Sequence, residues 1–281
     1  MRVASVEVEG RHRWGPVYGP TLRDASDLAP TLRAFLAAGG TTVELAAHRG
    51  RPIELGAARL LAPVPNPSKI WCTGLNFDDF RRQLGLDFLK APNVFLKAPS
   101  ALIGHDAVVA VPAGYGSVFH EWELTAIVGR RLRDASETAA RAAIFGYTIL
   151  DDLTLHEVEL ANREHQQWAK NPDGFAPCGP WIVTSDELDP ARGLAMRRWR
   201  NGRLEQDSST TQMRFQHPEL IEFISSFCTL ECGDLVTAGT PSAGPCGPGD
   251  VIDGEVEGIG TLRVRLVKRR ANPRWQAVVS A

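Results

Sequence analysis

Two glutamates flank a tryptophan in the stretch VFHEWELTAIVG, which covers residues 118–129. Because alternate residues of a strand project from the same face, Glu121 and Glu123 are predicted to point one way, while Trp122 and Leu124 point the other. Two carboxylates that share a face repel each other, and each is driven towards its protonated form unless a cation joins them. The simplest alternative is that this face is exposed to solvent.

A third carboxylate follows on another predicted strand. The segment GYTILDDLT (146–154) carries Asp151 and Asp152 near its end, and the apolar run LTAIVG after Glu123 indicates burial on both faces. An aspartate delivered beside the glutamate pair completes a site with oxygen ligands only, the set that Mg²⁺, Mn²⁺ or Ca²⁺ prefers. Such a triad leaves about three positions of an octahedral ion for water and substrate oxygens.

A lysine and a glycine-rich turn offer groups for an anionic substrate. Lys170 precedes the weakly charged loop PDGFAPCGP (172–180), and its ammonium can hold a substrate carboxylate or a developing enolate. Thr240 and the backbone N–H groups around it, in LVTAGTPSAGPCGPGD (235–250), can bind a carboxylate without adding charge. Taken singly, Lys170 has the simpler interpretation of a surface lysine, and the glycine-rich segment that of an ordinary hairpin turn.

Short apolar strands separated by glycine and proline dominate the chain after residue 67, and helices are few. Helices are predicted in TLRAFLAAGG (31–40), in ASETAARAAIFG (135–146), which ends at Gly146, and in HPELIEFISSFCTL (217–230). The last of these places four apolar residues on one face, namely Leu220, Ile221, Ile224 and Phe227. The pattern favours a mostly β (α+β) fold with flanking helices over a doubly wound parallel sheet.

The three prolines Pro63, Pro65 and Pro67 make residues 63–67 the best candidate for a linker. They divide the chain into a small N-terminal α/β domain, residues 1–66, and a catalytic domain, residues 67–281.

Composition narrows the range of partners. A formal net charge of −2 with scattered lysines and arginines argues against nucleic acid, and the basic runs MRRWR (196–200) and VKRR (267–270) are predicted to be solvated strand edges or ends. No stretch is long enough to span a bilayer, so the expected location is the cytoplasm. The five cysteines lack zinc-ligand spacing and are expected to be buried free thiols.

Several segments between residues 68 and 267, taken in order, resemble the fumarylacetoacetate hydrolase (FAH) family, which includes acylpyruvate hydrolases, 2-oxo acid decarboxylases and diketo-deoxysugar acid hydrolases. These segments are GLNFDDF, FLKAPSALIG, EWEL, GYTILDDLT, AKNPDGFAPCGP, NGRLEQDSSTTQMRF, LECGDLVTAGTP and GDVIDGEVEGIGTLRVRLV. The resemblance implies an FAH-type distorted β-roll catalytic domain, a divalent metal, usually Mg²⁺ or Mn²⁺, and a homodimer.

The resemblance also assigns the metal ligands. The family's E-x-E pair falls on Glu121 and Glu123, and its third ligand falls on Asp152. Asp151 replaces a residue that is commonly asparagine or apolar, and it is expected to lie behind the ligands.

The remaining site residues come from two further motifs of the family. Its catalytic lysine falls on Lys170, and the aspartate three residues later, Asp173, is expected to bind the substrate. Its TGTP threonine falls on Thr240, which is expected to have a catalytic role and, with Gly239, to bind the substrate.

One segment departs from the family pattern. Many hydrolytic members carry NYADHxxE, whose histidine and glutamate activate water from a mobile lid, whereas this chain has NFDDFRRQ with Phe80 and Gln83 at those positions. Neither can act as a general base near neutral pH. Phe80 is expected to bind the substrate, and Gln83, at the position of the glutamate, is expected to have a catalytic role. Unless His105, His156 or another group substitutes, the hydrolytic apparatus is incomplete.

The residues and the resemblance together predict a divalent-metal-dependent enzyme that acts on a small 2-oxo or 1,3-dicarbonyl acid, most simply as a carbon–carbon bond hydrolase. Decarboxylation, tautomerisation or dehydration needs mainly an electron sink. The presence of Phe80 and Gln83 in place of the histidine and glutamate favours these three reactions. A catalytically idle homologue that binds a metal or metabolite is the third alternative. The expected partner is a small carboxylate substrate, with no nucleic acid and no membrane.

Overall fold

The computed structural model describes residues 1–161 and 166–270. Within these residues the chain forms nineteen strands, so the prediction of a mostly β fold is confirmed. The strands are β1 Arg2–Val8, β2 Arg11–Tyr18, β3 Thr21–Arg23, β4 Pro52–Glu54, β5 Arg59–Leu60, β6 Ile70–Gly74, β7 Asn93–Lys97, β8 Leu102–Ile103, β9 Ala107–Pro112, β10 Val118–Val128, β11 Ile144–Asp151, β12 Thr154–Leu155, β13 Ala176–Thr184, β14 Ala195–Arg200, β15 Arg203–Ser209, β16 Leu235–Thr237, β17 Ala243–Cys246, β18 Val251–Val256 and β19 Gly260–Arg269.

Helices are short apart from the last one. They are α1 Leu32–Ala37, α2 Thr42–Ala47, α3 Asp78–Gln83, α4 Glu137–Ala142, α5 His156–Ala161, α6 Gln166–Lys170 and α7 His217–Phe227. The three helices predicted from the sequence correspond to α1, α4 and α7. In α7 the predicted apolar face is buried at Leu220, Ile221 and Ile224, while Phe227 at the helix end stays 49% exposed.

The helix predicted to end at Gly146 ends earlier, at Ala142. Gly146 lies instead inside β11, where a Cβ atom would come within 2.3 Å of the Val183 carbonyl oxygen. This glycine therefore permits the close pairing of β11 with β13 and does not cap a helix.

Two sheets make up the fold. The larger sheet runs β4-β3-β2-β1-β13-β11-β10-β16-β6-β7, with β12 and β17 also paired to β10, β5 to β1 and β8 to β13. The smaller runs β15-β14-β18-β19-β9. Strand β10 is the centre of the larger sheet because it pairs with four other strands along its length.

The two sheets are in close contact at Trp122 of β10. Its side chain is fully buried, and a Cβ atom on Gly254 of β18 would lie 1.6 Å from its indole ring. The glycine thus lets the tryptophan lie flat against the smaller sheet. Because Trp122 faces this core, the neighbouring Glu121 and Glu123 must face the other way.

The N-terminal strands continue the larger sheet. Residue Arg2 of β1 is paired with Val183 of β13, and the Ser5 hydroxyl donates to the Pro63 carbonyl at 2.8 Å. The proline-containing segment 63–67 therefore packs along β1 over part of its length. The division of the chain at residue 66 stays a prediction, and residues 271–281 of the predicted catalytic domain lie outside the described residues.

One prediction about the basic runs is wrong. Arg198, in the middle of MRRWR, is only 2% exposed, because β14 lies between β15 and β18 and one of its faces packs against the larger sheet. Lys268 to Arg270 of the second run are exposed, as predicted.

The thiols of all five cysteines are free, and four of these residues are buried. Among the described residues, no helix combines the length and the apolar character needed to cross a bilayer.

Candidate metal centre

Strands β10 and β11 bring three carboxylates together at one point of the larger sheet. The Asp152 N–H donates to the Glu121 carbonyl at 2.8 Å, which fixes the end of β11 beside the glutamate pair. One carboxylate oxygen from each of Glu121, Glu123 and Asp152 lies within 4.8 Å of the other two. We call these three residues the triad. Strand periodicity predicted the glutamate pair, the strand end offered Asp151 and Asp152, and the family resemblance selected Asp152; the structure places the three predicted ligands together.

Two buried ammonium groups contact the triad. Lys170, at the end of α6, donates to Asp152 Oδ2 at 2.8 Å and to Glu121 Oε2 at 3.1 Å. Lys97, at the end of β7, donates to Asp152 Oδ1 at 2.6 Å and to the Leu153 carbonyl at 3.2 Å. Lys170 was predicted from the sequence and Lys97 was not. Its signal is a lysine that closes the apolar strand NVFLK, a position where a solvated charge is not expected.

Burial and the two lysines act on the triad in opposite directions. Burial, together with the Asp152 charge, raises the pKa of Glu123 well above its usual value, and burial also raises the pKa of Glu121 against the opposing effect of Lys170. For Asp152, burial alone would raise the pKa, but Lys170 and Lys97 lower it below the usual range. In this arrangement Asp152 is the ionised centre of the triad, while the two glutamates need a further cation to ionise fully.

Lys170 is held in its charged form. Burial would lower its pKa, but the charges of Asp152 and Glu121 offset that effect and raise the pKa well above the usual value. A lysine in this state can attract an anion or donate a hydrogen bond, and it is a poor general base.

Neutral donors complete the surroundings of the glutamates. The Thr154 hydroxyl donates to Glu121 Oε1 at 3.1 Å, and the Gly239 N–H donates to Glu123 Oε2 at 3.2 Å. Gly239 has φ +82°, and a Cβ atom there would lie 2.8 Å from the Thr73 carbonyl oxygen, so the close approach requires glycine. Thr240 is buried beside it, and its hydroxyl donates to the Ser242 carbonyl at 2.7 Å.

Asp151 lies behind the triad. Its Oδ1 accepts the Glu121 N–H at 2.9 Å, and burial raises its pKa to about 8. It therefore holds the backbone of Glu121 in place from outside the triad.

Phe80, Gln83 and Asp173 differ in burial. Phe80 in α3 is partly buried and packs against the main hydrophobic core, whereas Gln83 at the end of that helix and Asp173 are exposed. Within residues 1–161 and 166–270, neither Gln83 nor Asp173 makes a hydrogen bond or ion pair with the triad. The catalytic role of Gln83 and the substrate-binding roles of Phe80 and Asp173 stay predictions.

The two histidines named as substitutes for the lid base have other neighbours. His156, at the start of α5, stacks on Phe119 with ring centroids 3.9 Å apart, and Phe119 lies on the same face of β10 as the glutamates. His105 Nδ1 accepts the Arg263 N–H at 3.2 Å and thus packs on β19. Of the two histidines, His156 is therefore the one that contacts a residue, Phe119, on the same strand face as the triad glutamates.

The donor set fits a divalent cation. All three candidate ligands are carboxylates, which Mg²⁺, Mn²⁺ and Ca²⁺ prefer, and their oxygens lie close enough to meet on one ion. The triad can therefore hold a metal ion.

Comparison with known proteins agrees with this picture. The family model described as fumarylacetoacetate (FAA) hydrolase C-terminal matches residues 69–267. A maleylpyruvate hydrolase from Aquipseudomonas alcaligenes is 33% identical over 264 residues, which cover 89% of each chain. A mitochondrial oxaloacetate tautomerase from Bos taurus is 33% identical over 221 residues, 76% of this chain and 70% of that one. A 4-hydroxyphenylacetate degradation bifunctional isomerase/decarboxylase from Salmonella dublin is 31% identical over 206 residues, 73% of this chain and 48% of that one.

Solved structures have the same fold. The fumarylacetoacetate hydrolase from Exiguobacterium antarcticum superposes with a TM-score of 0.84 at 31% identity, covering 96% of this chain and 100% of that one. The maleylpyruvate hydrolase from Sphingobium sp. SYK-6, in complex with manganese(II) ion and pyruvate, has a TM-score of 0.80 at 29% identity with the same coverage. These matches confirm the FAH-type fold.

Proposed function

This chain belongs to the fumarylacetoacetate hydrolase family, and we propose that it is an enzyme that uses Mg²⁺ or Mn²⁺ to hydrolyse a carbon–carbon bond in a small 2-oxo acid of the acylpyruvate type. In that reaction an acylpyruvate and water give pyruvate and the carboxylic acid of the acyl group. The observation that carries the proposal is the triad with Lys97 and Lys170 hydrogen-bonded to it.

Charge balance supports an anionic substrate. With all three carboxylates ionised, the triad contributes three negative charges and the two lysines contribute two positive charges, which leaves one negative charge in a buried site. A divalent ion reverses that to one positive charge, and one substrate carboxylate then neutralises the site. Since an unbalanced buried charge is costly, the ion and an acid are expected to bind together.

When bound, the divalent ion supplies a Lewis acid that polarises the carbonyl oxygens of a 2-oxo acid. The chain's own residues orient and charge the site: Lys170 keeps its proton and can donate to a substrate oxygen, and Lys97 fixes the orientation of Asp152. The Gly239 N–H donates to Glu123 and holds it in place. Thr240 is buried next to Gly239. The Thr240 hydroxyl oxygen can accept a hydrogen bond from the substrate, and the N–H groups around Thr240 can bind a substrate carboxylate.

A second candidate, decarboxylation or tautomerisation of a 2-oxo acid such as oxaloacetate, is favoured by one specific observation. Phe80 and Gln83 occupy the lid positions where hydrolytic members carry a histidine and a glutamate, and neither side chain can take a proton from water. Decarboxylation and tautomerisation do not require an activated water. Tautomerase and isomerase/decarboxylase relatives support the same alternative.

Titration calorimetry with Mn²⁺ tests the metal site. Wild-type protein is expected to bind one ion per chain, and Glu123→Ala is expected to abolish or weaken binding by at least tenfold. A matched control is Glu255→Ala on β18, which removes a partly exposed carboxylate outside the triad and is expected to bind Mn²⁺ as the wild type does. Equal affinity of Glu123→Ala and wild type would show that the ligand assignment is wrong.

A substrate panel separates the two reactions. Pyruvate release from acylpyruvates, CO₂ release from oxaloacetate, and keto–enol exchange of oxaloacetate are measured with Mg²⁺ and with Mn²⁺. Hydrolysis predicts release of pyruvate and the acyl acid in equal amounts, whereas the second candidate predicts activity on oxaloacetate alone. Tight binding of pyruvate or oxaloacetate without turnover of any compound would favour a non-catalytic binding protein.

The double variant Phe80→His with Gln83→Glu examines the lid directly. If the missing base limits hydrolysis, the rate of acylpyruvate cleavage should rise in this variant. General base catalysis typically contributes about 10²–10⁴-fold, and we expect a gain of about tenfold here. No gain would mean that another group already activates the water.

The homodimer expected from the family resemblance is tested separately by analytical ultracentrifugation.

A further inference from the structure

A second group of polar side chains lies on the opposite face of β10 from the triad. A pocket of about 440 Å³ is lined there by residues of β14, β15 and β17, including Arg198, Arg200, Arg203, Glu205 and Gly244. Its lining carries three guanidinium groups and one carboxylate, a surplus of two positive charges. This surplus contrasts with the net negative triad on the other face.

Arg198 is the most unusual of these residues. Its side chain is almost fully buried, and no carboxylate oxygen of the described residues lies within 4.0 Å of its nitrogens. Nη1 donates to Gln206 Oε1 at 3.0 Å and to the Ser242 carbonyl at 2.9 Å, while Nε has no hydrogen-bond partner in the described part of the chain. A buried guanidinium without a counter-ion is costly, because burial removes its hydration without replacing the lost interactions.

The one carboxylate in the lining does not neutralise Arg198. Glu205 Oε1 accepts a hydrogen bond from Nε of Arg200 at 2.8 Å and lies 2.8 Å from Nη2 of the same guanidinium. Its other oxygen lies 3.5 Å from Nε2 of His120. Glu205 is therefore hydrogen-bonded to Arg200. Burial lowers the pKa of Arg198, and the charges of Asp151 and Glu205 oppose that effect only from beyond salt-bridge distance, so the guanidinium has no directly paired anion.

His120 adds a second buried group that lacks a partner. The residue is fully buried on β10, and within the described residues neither ring nitrogen has a hydrogen-bond partner. It is paired across the strands with Gly244 of β17, so both residues lie on the same face. Its Nε2 lies 3.5 Å from Glu205 Oε2 and behind the residues that line the pocket, so a ligand atom would reach the ring at the position of Gly244.

Gly244 leaves the space that such a ligand would fill. A Cβ atom at this position would lie 3.0 Å from Arg198 Nη2 and 3.3 Å from His120 Nε2. Because glycine has no side chain, an atom in the pocket can reach both nitrogens at hydrogen-bond distance. One nitrogen of Arg198 and one of His120 thus lie beside the same space at Gly244, in a pocket whose lining has a surplus of positive charge.

We propose that this pocket binds a small oxyanion, a phosphate or carboxylate group, through Arg198 and His120, with Arg203 at its exposed rim. The planar fork of an arginine matches two oxygens of either group. The site is separate from the triad, because His120 and Glu121 are consecutive in a strand and project from opposite faces.

Titration calorimetry on metal-free full-length protein tests the proposal, with inorganic phosphate in one series and malonate in the other. Wild-type protein is expected to bind at least one of the two anions, and the tighter one identifies the preferred group. Arg198→Met is expected to raise the Kd by roughly tenfold or more, because methionine is of similar length to arginine but lacks its charge and its hydrogen-bond donors. Gly244→Ala is expected to raise it as well, because the new methyl group occupies the space beside Arg198 Nη2.

Two controls show whether the binding is local. Arg197→Met removes an exposed guanidinium from the same strand, which pairs with Asp207 on the outer face, and should leave the Kd unchanged. Glu123→Ala alters the triad alone and should also leave it unchanged. The proposal is wrong if neither anion binds, if Arg197→Met weakens binding as much as Arg198→Met, or if neither Arg198→Met nor Gly244→Ala changes the Kd while circular dichroism shows both variants folded.

Discussion

The two faces of strand β10 carry buried charge of opposite sign and balance it differently. On one face the three carboxylates of the triad are hydrogen-bonded by Lys97, Lys170, a hydroxyl and a backbone N–H. On the other face the Arg198 guanidinium is buried with amide and carbonyl partners only, beside an imidazole that has none among the described residues. On the first face ion pairs already hold Asp152 and Glu121, and a further cation is needed to ionise the glutamates fully. On the second face no carboxylate of the described residues lies within 4.0 Å of the Arg198 nitrogens.

This difference separates the effect of a buried ion pair from that of a buried ion alone. Removing one partner from a hydrogen-bonded buried pair leaves the other partner's charge without compensation, and the fold is destabilised. Removing a buried charge that has no partner takes away a desolvation cost instead. Substitutions on the two faces of β10 are therefore expected to change the stability in opposite directions.

Asp152→Asn is expected to have the largest effect. The substitution keeps the size of the side chain but removes the charge that both Lys97 and Lys170 share, so two buried ammonium groups lose their common counter-ion. We expect the free energy of unfolding to fall by about 3–5 kcal/mol, measured by urea denaturation, and Mn²⁺ binding to be lost.

The matched control for Asp152→Asn is Asp207→Asn. Asp207 pairs with Arg197 at 3.2 Å, but both side chains are about half exposed. A solvated pair of this kind contributes about 0–1 kcal/mol, so the control should unfold almost as the wild type does. Equal losses for the two variants would contradict the view that burial makes the triad pairs essential.

Arg198→Met, on the other face, is expected to leave the protein unchanged or to stabilise it by up to about 2 kcal/mol in the absence of added anions. Both acceptors released by the substitution keep another donor: Gln206 Oε1 still accepts from the Ser242 hydroxyl, and the Ser242 carbonyl from the Thr240 hydroxyl. Urea denaturation at low salt measures the change. A loss of more than about 2 kcal/mol would mean that the guanidinium contributes to the fold itself.

The sequence predicted one face of β10 far better than the other. Glu121 and Glu123 could be predicted because strand periodicity acts within a few residues. The end of the next apolar strand offered Asp151 and Asp152, and the family resemblance selected Asp152. Arg198 could not be found in this way: a basic run reads as a solvated edge, and only the placement of β14 between β15 and β18 buries its central residue. Lys97 was missed for the same reason, since its partner is 55 residues away in sequence.

His217 is a buried histidine that has one backbone hydrogen-bond partner, so it is intermediate between the hydrogen-bonded triad and His120, which has no such partner among the described residues. His217 Nε2 donates to the Leu124 carbonyl of β10 at 3.2 Å, and its ring packs edge-on against Tyr147 at 5.3 Å. Burial lowers the pKa of His217 to about 4 and raises that of Tyr147 to about 12, so both are neutral at pH 7.

Because the unfolded chain protonates His217 near its ordinary pKa of 6.5 and the folded chain does not, stability is lost as the pH falls below about 6.5. We expect this residue to account for about 1 kcal/mol of the decrease between pH 6.5 and 5.5. His217→Gln, whose amide can still donate to Leu124, should show a correspondingly flatter dependence in urea denaturation at the two pH values. Parallel curves for variant and wild type would show that His217 titrates normally in the folded protein.

Thr154→Val is expected to have the smallest effect and tests how much the neutral donors add to the triad. Valine keeps the shape of the side chain but removes the hydroxyl that donates to Glu121 Oε1 at 3.1 Å. Lys170 still contacts the other oxygen of that glutamate, so its charge stays compensated. We expect a loss of about 0.7 kcal/mol in Mn²⁺ binding, or roughly a threefold higher Kd by calorimetry, because only the orientation of one ligand is relaxed. A loss as large as that of Glu123→Ala would place the hydroxyl among the groups that the metal requires, and the carboxylates alone would then not account for the site.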